Sequence, residues 1–308
     1  MLVYSAKKVI ALMIALLGAI LVVYTVMEMS PGDPATFPLG GTPEMLHEWR
    51  EFHGLNDPTI NRYIRYISGL FRGELSPPLP KSLGGHDPTV TPTIMQNLPY
   101  TLRLALASLS ASLTLAIPIS ALAAARKSER LDKTIKYISI IGNSLPIFLL
   151  GMLLISMQRL PMISGPSSLV LPSLTLGIGI FCAILPKVHA SFADTIEQSY
   201  ILAARAKGLS TEKILRKHAL RNILVPTMTA LRAHIGTLFT GIIVVEFMFN
   251  RPGIGRLLMQ DIVGRNYALV LACVTVFILI YAAISITIDL AQAIIDPRIR
   301  EQDARAAY

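Results

Sequence analysis

Few side chains in this sequence have the types and spacing of a catalytic or metal-binding site. The stretch His47-Glu-Trp-Arg-Glu51 begins like the helix of a zinc protease, but a glutamate stands where that motif needs its second histidine. The sequence has no G-x-S-x-G nucleophile elbow and no G-x-x-x-x-G-K-[ST] phosphate loop. We therefore expect no enzyme activity, no bound metal and no bound cofactor in this chain, and any dependence on ATP would come from a partner.

A compact cation-rich stretch, residues 203–227, is the other candidate for a functional role. Its alanines would let another surface approach closely. We expect a helix, a left-handed turn at Gly208, and a second helix capped by Ser210 with Glu212 in its first turn. The surrounding cations are Arg205, Lys207, Lys213, Arg216 and Lys217. The stretch is therefore either a docking site for a protein or an amphipathic helix that lies on anionic lipid headgroups.

The rest of the chain has the composition of a membrane protein, because 53% of its 308 residues are hydrophobic and only 15% are charged. A helix of about 20 apolar residues crosses the hydrocarbon layer. The first apolar run is long for a signal peptide and lacks a small-x-small cleavage site, so we expect it to be retained. We predict an all-α membrane protein with six transmembrane helices, at residues 9–27, 99–125, 137–157, 168–186, 223–247 and 268–295.

The placement of positive charge sets the predicted orientation, since cytoplasmic loops carry the excess of Lys and Arg. With the N-terminus inside, more than half of the 28 Lys and Arg residues fall on inner segments. Both termini are therefore predicted to be cytoplasmic, and residues 187–222 form the longest inner loop. The net charge of +9 is then mostly a topology signal. Binding of nucleic acid has little support, because no basic patch is interleaved with aromatic residues.

Ionisable side chains inside the apolar runs are functional candidates by default. Arg232 and His234 are two residues apart on one helix and so project to different faces. We expect Arg232 to snorkel towards the inner boundary and Asp289 to have a cap-like or snorkelling role there. A structural role and a pathway role remain equally open for Glu246. Arg232, His234 and Glu246 are the possible pathway or gate residues.

Several stretches resemble one family of transport proteins. Tyr200-Ile-Leu-Ala-Ala-Arg-Ala-Lys-Gly-Leu209, with Arg216-Lys-His-Ala-Leu-Arg-Asn222 after it, resembles the EAA-type coupling loop of ABC transporter permeases. Leu202 and Ala203 depart from the residues that the family often has there. Nearly the whole chain resembles the dipeptide/oligopeptide/nickel permease family, through Pro31-Gly-Asp-Pro34, Gly54-Leu-Asn-Asp-Pro58, Asn97-Leu-Pro-Tyr-Thr-Leu102, Leu171-Pro-Ser-Leu-Thr-Leu-Gly177, Val244-Val-Glu-Phe-Met-Phe-Asn-Arg-Pro-Gly-Ile-Gly-Arg256 and Asp296-Pro-Arg-Ile-Arg300.

This resemblance implies the ABC importer type I permease fold, in the inner (cytoplasmic) membrane, with a small extracytoplasmic loop domain. It implies that the chain forms half of a translocation pathway and that a second, homologous permease subunit forms the other half. It further implies two cytoplasmic ABC ATPase subunits, which bind ATP and Mg, and an extracytoplasmic substrate-binding protein. The residues that it assigns to ATPase coupling are Ala203, Ala204, Arg205, Ala206, Lys207, Gly208, Leu209, Ser210 and Glu212.

The domain organisation follows from the topology and the resemblance together. Residues 1–29 form the first transmembrane helix and residues 30–97 an extracytoplasmic loop region. Residues 98–295 form a core of five transmembrane helices, which includes the cytoplasmic coupling loop 187–222. Residues 296–308 form a cytoplasmic tail.

The cargo is less constrained by the sequence than the transport class. The resemblance implies dipeptides or oligopeptides, or nickel as a chelate. His234-Ile-Gly236 is closer to the nickel-importing branch, and the 12 methionines and the outer-loop histidines could suit a borderline cation. A different class also remains open, in which the chain is a non-transporting membrane scaffold or receptor subunit that docks a cytosolic protein through its basic loop.

Overall fold

The computed structural model describes residues 2–29, 44, 57–75, 90–156, 168–215, 219–264 and 266–296, and the regular elements within these ranges are helices. The motif at residues 47–51 and the tail from residue 297 lie outside the described residues. In chain order the helices are α1 (Leu2–Met29), α2 (Thr59–Leu70), α3 (Val90–Arg126), α4 (Glu129–Ser144), α5 (Ile147–Ser156), α6 (Val170–Ile196), α7 (Ser199–Ala206), α8 (Thr211–Ile214), α9 (Leu220–Met248), α10 (Ile254–Gly264) and α11 (Tyr267–Ile295).

Four helices in the described part of the chain are long and apolar enough to cross a membrane, namely α3, α6, α9 and α11. They match the second, fourth, fifth and sixth apolar runs of the sequence, so the prediction of a multi-span helical protein is confirmed. The first run is also helical, but its described apolar part, Met13–Met27, is shorter than a full span. The count of six spans and the cytoplasmic termini stay predictions.

The third predicted span, residues 137–157, is not one continuous helix. It is divided between α4 and α5, which meet at an angle of 90°. Leu145 between them is extended, with φ −83° and ψ 116°. The cause is Pro146, because proline disfavours the helical conformation of the residue before it and has no N–H to continue the helix. Counting this bent pair as one span gives five.

Two of the matched helices extend well beyond the limits set by their apolar runs. α3 begins at Val90, inside the predicted outer loop region, and not at Pro99. α6 continues past Pro186 to Ile196, inside the predicted inner loop. Hydropathy locates the apolar part of a helix but does not detect the polar turns at its ends. Pro92 is compatible with the early start of α3, since the first N–H groups of a helix have no intrahelical partner.

One compact unit comprises the described residues of Leu102–Arg251 and residues 285–296. Within it α6 packs against α4, α5 and α9. Its approach to α3 is also close, because the Ser112 hydroxyl donates to the Gly177 carbonyl at 2.8 Å. Small and hydroxyl-bearing side chains at such contacts are typical of helix association in lipid.

Pro186 within α6 leaves a carbonyl without its usual helical donor, and a side chain from elsewhere in the unit supplies one. Asn143 Nδ2 donates to the Cys182 carbonyl, four residues before Pro186, at 3.2 Å. Arg251 Nη1 also donates to the Ser168 carbonyl, two residues before the start of α6, at 3.1 Å. A proline within this membrane helix is therefore compatible with a packed helix bundle.

The other compact unit comprises the described residues of Leu2–Thr101 and Pro252–Ile284. Its core includes Leu16, Ile20 and Tyr24 of α1, Tyr66 of α2, and Leu271 and Ala282 of α11. The Tyr66 hydroxyl lies 2.8 Å from the Thr275 hydroxyl. Burial raises the pKa of Tyr66 to about 12, so this side chain stays neutral at physiological pH.

Candidate functional site

The helix, glycine turn and helix expected around Gly208 are confirmed. We call residues 199–214, which contain α7 and α8, the basic segment. Gly208 has φ +77°, its N–H donates to the Arg205 carbonyl at 2.9 Å, and the Leu209 N–H donates to the Ala204 carbonyl at 3.3 Å. This pair of hydrogen bonds is the Schellman arrangement that closes α7. The Ser210 hydroxyl then caps α8 by accepting from the Lys213 N–H at 3.4 Å.

The basic segment has a small core of its own. Ile201, Ala204 and Ile214 are buried together and Leu209 packs against them. Ala204 is therefore a packing residue within the segment, with 7% of its surface exposed. The assignment of Ala204 to ATPase coupling stays a prediction. The exposed members of the predicted coupling set are Ala203, Arg205, Ala206, Lys207, Gly208, Ser210 and Glu212.

The basic segment is tied to the helix that follows it. The Asn222 side-chain amide at the start of α9 donates a hydrogen bond to the Tyr200 hydroxyl of α7. On the other side, Lys127 Nζ lies 3.5 Å from Glu197 Oε1, which joins the α3–α4 turn to the C-terminal end of α6, two residues before α7. A displacement of the basic segment would therefore be transmitted to α9 through the side-chain contact between Tyr200 and Asn222 as well as through the backbone.

A histidine and an aspartate join α6 to α4 at the end of the unit where the turns lead to the basic segment. His189 Nε2 lies 2.9 Å from Asp132 Oδ1, and His189 Nδ1 lies 3.5 Å from the Ser120 carbonyl. The sequence does not single out either residue as a candidate. Their positions, near the C-terminal end of α6 and the N-terminal end of α4, place them beside the turns that lead to the basic segment.

Arg232 and Asp289 form an ion pair between α9 and α11. The sequence presents both as snorkelling groups at the inner boundary, and it does not predict that they meet. The Asp289 side chain is 5% exposed and the Arg232 side chain 41% exposed. The sequence does contain one relevant signal, which is the presence of opposite charges in the predicted inner halves of two consecutive membrane helices.

A second polar contact lies beside this ion pair. Gln292 Nε2 donates to the Thr229 hydroxyl at 2.8 Å, and the Thr229 hydroxyl in turn donates to the Val225 carbonyl at 3.0 Å. Gln292 is one helical turn from Asp289, and Thr229 is one turn from Arg232. We call Thr229, Arg232, Asp289 and Gln292 the polar link.

The three candidate pathway residues do not form one site. Arg232 and Glu246 are 14 positions apart on α9, which corresponds to roughly 21 Å along the helix. Glu246 is completely buried, and its backbone carbonyl accepts from the Arg251 N–H at 2.9 Å. Among the described residues, none is a hydrogen-bond partner for the buried Nε2 of His234. Within the described ranges, no group of three or more His, Cys, Asp or Glu side chains is placed to hold a metal ion.

Models of two protein families match this chain. The model described as "Binding-protein-dependent transport system inner membrane component" matches residues 116–301. The model of the N-terminal part of such membrane components matches residues 1–105. The first match includes the basic segment and the polar link, and the two together extend over most of the sequence.

The chain is similar over almost its full length to glutathione transport system permease proteins. It is 32% identical to GsiC of Escherichia coli (strain K12) over 309 aligned residues, which cover 97% of this chain and 99% of that protein. It is 30% identical, with the same coverage, to GsiC of Pectobacterium atrosepticum.

The fold is similar to that of chains in two crystal forms of the MetNI methionine ABC transporter in inward-facing conformations. The first comparison has a TM-score of 0.59 at 19% identity and covers 68% of this chain and 99% of the other. The second has a TM-score of 0.57 at 18% identity with the same coverage. At these identities the likeness concerns the fold alone.

Proposed function

This chain belongs to the family of binding-protein-dependent transport system inner membrane components, and from that premise we propose that it forms half of the translocation pathway of an ATP-driven importer of short peptides. It is a multi-pass inner-membrane protein and an ABC importer permease of the dipeptide/oligopeptide family. The observation that carries the proposal is the match over 97% of the chain to permease proteins of a glutathione transport system.

The proposed topology adds two membrane spans to the four long apolar helices already described. We assign six transmembrane helices, with α1 as the first and the bent pair of α4 and α5 as the third. Both termini are cytoplasmic, and residues 30–97 contribute a small extracytoplasmic domain. The supporting observation is the excess of Lys and Arg on the segments that this topology places inside.

The proposed assembly contains a second, homologous permease subunit, two cytoplasmic ATPase subunits and an extracytoplasmic binding protein. ATP and Mg belong to the ATPase subunits, because this sequence has no phosphate-binding loop of its own. Importer permeases of this family act in such assemblies in general, and the identity of each partner is open.

We assign ATPase docking to the exposed surface of the basic segment. Ala203 and Ala206 allow a close approach there, and Arg205 and Lys207 place positive charge beside the contact. The Schellman turn and the small core fix the shape of this surface without a partner. ATP binding draws the two ATPases together, and displacement of the docked segment would reorient the helices between inward-facing and outward-facing arrangements.

We propose short peptides as the cargo in preference to nickel chelates. Glutathione is a tripeptide, and the relatives named above are permeases of its transport system. The nickel alternative depends on His234 and on histidines outside the described residues. In the described part of the chain, no group of three or more His, Cys, Asp or Glu side chains could hold a metal ion.

The test is transport by the full complex in proteoliposomes. Glutathione, a dipeptide mixture and nickel chelates would each be offered with the cognate binding protein, and uptake and ATPase stimulation measured together. We expect uptake of a peptide ligand, with ATPase activity stimulated several-fold. Uptake of nickel alone would overturn the cargo assignment. Absence of any coupled uptake, in a complex that still docks a cytosolic protein, would favour the scaffold class.

A further inference from the structure

We propose that the polar link is a coupling element, which makes the inner end of α11 move together with α9 when the basic segment is displaced. This proposal rests on the proposed function. It concerns how motion travels inside this subunit, and it assigns Arg232 and Asp289 as positioning residues for transport. Neither residue is required to touch the cargo or the ATPase.

The route to the polar link starts at the basic segment. The Asn222 amide donates to the Tyr200 hydroxyl, so α7 is attached to the first turn of α9. Thr229 and Arg232 follow on the same helix, two to three turns further along. α9 is a continuous helix between these points, despite Pro226. Displacement of α7 is therefore delivered directly to the part of α9 that holds the polar link.

The geometry of the polar link fixes position along the helices as well as proximity. Thr229 and Arg232 lie on one face of α9, and Asp289 and Gln292 lie on one face of α11, because residues three apart are neighbours on a helix surface. Two directional contacts therefore join the same two faces, one turn apart. A single contact would allow the helices to pivot about it. Two contacts in register resist both rotation and sliding.

The energetic character of the polar link also favours a positioning role. Asp289 is 5% exposed, in a helix that is otherwise strongly apolar. Burial of a carboxylate is costly, and a buried ion pair often adds no more stability than well-packed apolar side chains of similar volume. Apolar side chains would hold α9 and α11 together but would slide past one another more easily. The charges provide a fixed register, which apolar packing alone specifies less well.

The first experiment compares ATP hydrolysis with transport in the reconstituted full complex. Asp289→Asn removes one charge, and Gln292→Leu removes the second contact. We expect the double variant to keep its binding-protein-stimulated ATPase activity within about twofold and to lose at least tenfold in cargo transported per ATP. Ile294→Ala, at an exposed position on the same helix, is the matched control and should change neither quantity.

The decisive variant exchanges the two charges. Arg232→Asp combined with Asp289→Arg should recover at least a third of the wild-type transport per ATP, whereas each single exchange should lose it. Because a purely stabilising pair would alter assembly and ATPase activity along with transport, the ratio of transport to hydrolysis separates the two roles. Unchanged transport per ATP in Asp289→Asn with Gln292→Leu, measured in a complex whose wild type transports, would overturn the proposal.

A second measurement keeps the proposal testable if these variants fail to assemble. Thr229→Cys and Gln292→Cys, bridged by a short bifunctional thiol reagent, would join α9 to α11 covalently. We expect the bridged complex to retain transport, since the helices move as one body. Loss of transport on bridging, restored when the bridge is cleaved, would overturn the proposal. If the wild-type complex transports no ligand at all, the proposed function itself fails. This result differs from retention of transport in the bridged complex and from its loss on bridging.

Discussion

The Asn143 side chain of α4 donates a hydrogen bond to the Cys182 carbonyl of α6, which Pro186 leaves without its helical donor. The N···O distance is 3.2 Å, and the same amide donates to the Ser139 carbonyl at 2.8 Å. A proline and an asparagine that are far apart in sequence therefore act as a matched pair. The contact helps to hold the first half of the bent span against α6.

Replacement of Asn143 by Leu should destabilise the protein by about 0.5–1.5 kcal/mol, because a carbonyl in an apolar setting loses its donor. Pro186→Ala restores a backbone N–H at the position that normally serves this carbonyl. In the Asn143→Leu/Pro186→Ala double variant the cost of losing Asn143 should therefore be smaller. Thermal unfolding of the four proteins in detergent measures this coupling. Additive effects would contradict the pairing.

Gly142, the neighbour of Asn143, permits the close approach of α4 to α6. A Cβ atom at this position would overlap Cys182 Sγ and would lie 2.7 Å from Cys182 Cβ. We expect Gly142→Ala to cost about 1–3 kcal/mol through overpacking. The matched control is Gly179→Ala on α6, where a Cβ meets nothing within 4 Å. That change should be neutral or slightly stabilising in a helix. Similar melting temperatures for the two variants would count against the close contact.

Two adjacent alanines of the basic segment should respond differently to the same substitution. Ala203→Asp places a charge on the exposed surface, so it should reduce ATPase copurification by about tenfold through direct contact while leaving the melting temperature of the isolated subunit unchanged. Ala204→Asp places the charge against Ile201 and Ile214 and should lower that temperature as well. Copurification assays and thermal unfolding separate the two effects. Normal docking in Ala203→Asp would exclude this surface as the ATPase contact.

Asp261 of α10 should make stability depend on pH. Burial raises the pKa of this carboxyl above 3.8, and a hydrogen bond with Asn266 offsets part of the rise. The protonated form is therefore favoured in the folded state. Its contribution to stability is complete below pH 3.8 and is lost as pH rises through the raised pKa.

Asp261→Asn keeps this side chain uncharged at every pH. We therefore expect the variant to have a higher melting temperature than the native protein near neutral pH. Below pH 3.8 the two melting temperatures should be equal. Unfolding in detergent across the acidic to neutral range measures the difference. An equal effect of the substitution at all pH values would show that the charge of Asp261 is not the cause.

The membrane helices could be located from the sequence because long apolar runs are a strong local signal. Their ends could not, since polar turns such as those before Pro99 and after Pro186 are helical for reasons that hydropathy does not register. The break at Pro146 follows from proline chemistry. Pro186, by contrast, is tolerated within α6, and the difference depends on whether a distant residue such as Asn143 serves the freed carbonyl.

The candidate site divides in the same way between local and distant information. The turn at Gly208 and the cap at Ser210 were predictable, because both depend on residues within one or two turns. The burial of Ala204 required knowledge of which face of α7 meets α8. The pairing of Arg232 with Asp289 depends on how α9 packs against α11, which brings together two residues 57 positions apart, and a single sequence carries little of that information.

The bend at Pro146 has a consequence for how the protein enters the membrane during synthesis. α5 has ten residues, about 15 Å of helix against a hydrocarbon layer of about 30 Å. α4 is charged from Glu129 to Lys136, so neither half is a strong insertion signal alone. We expect this pair to partition into the bilayer only when α6 has emerged from the ribosome and Gly142 can dock against Cys182. Biogenesis of the third segment therefore depends on chain that is translated after it.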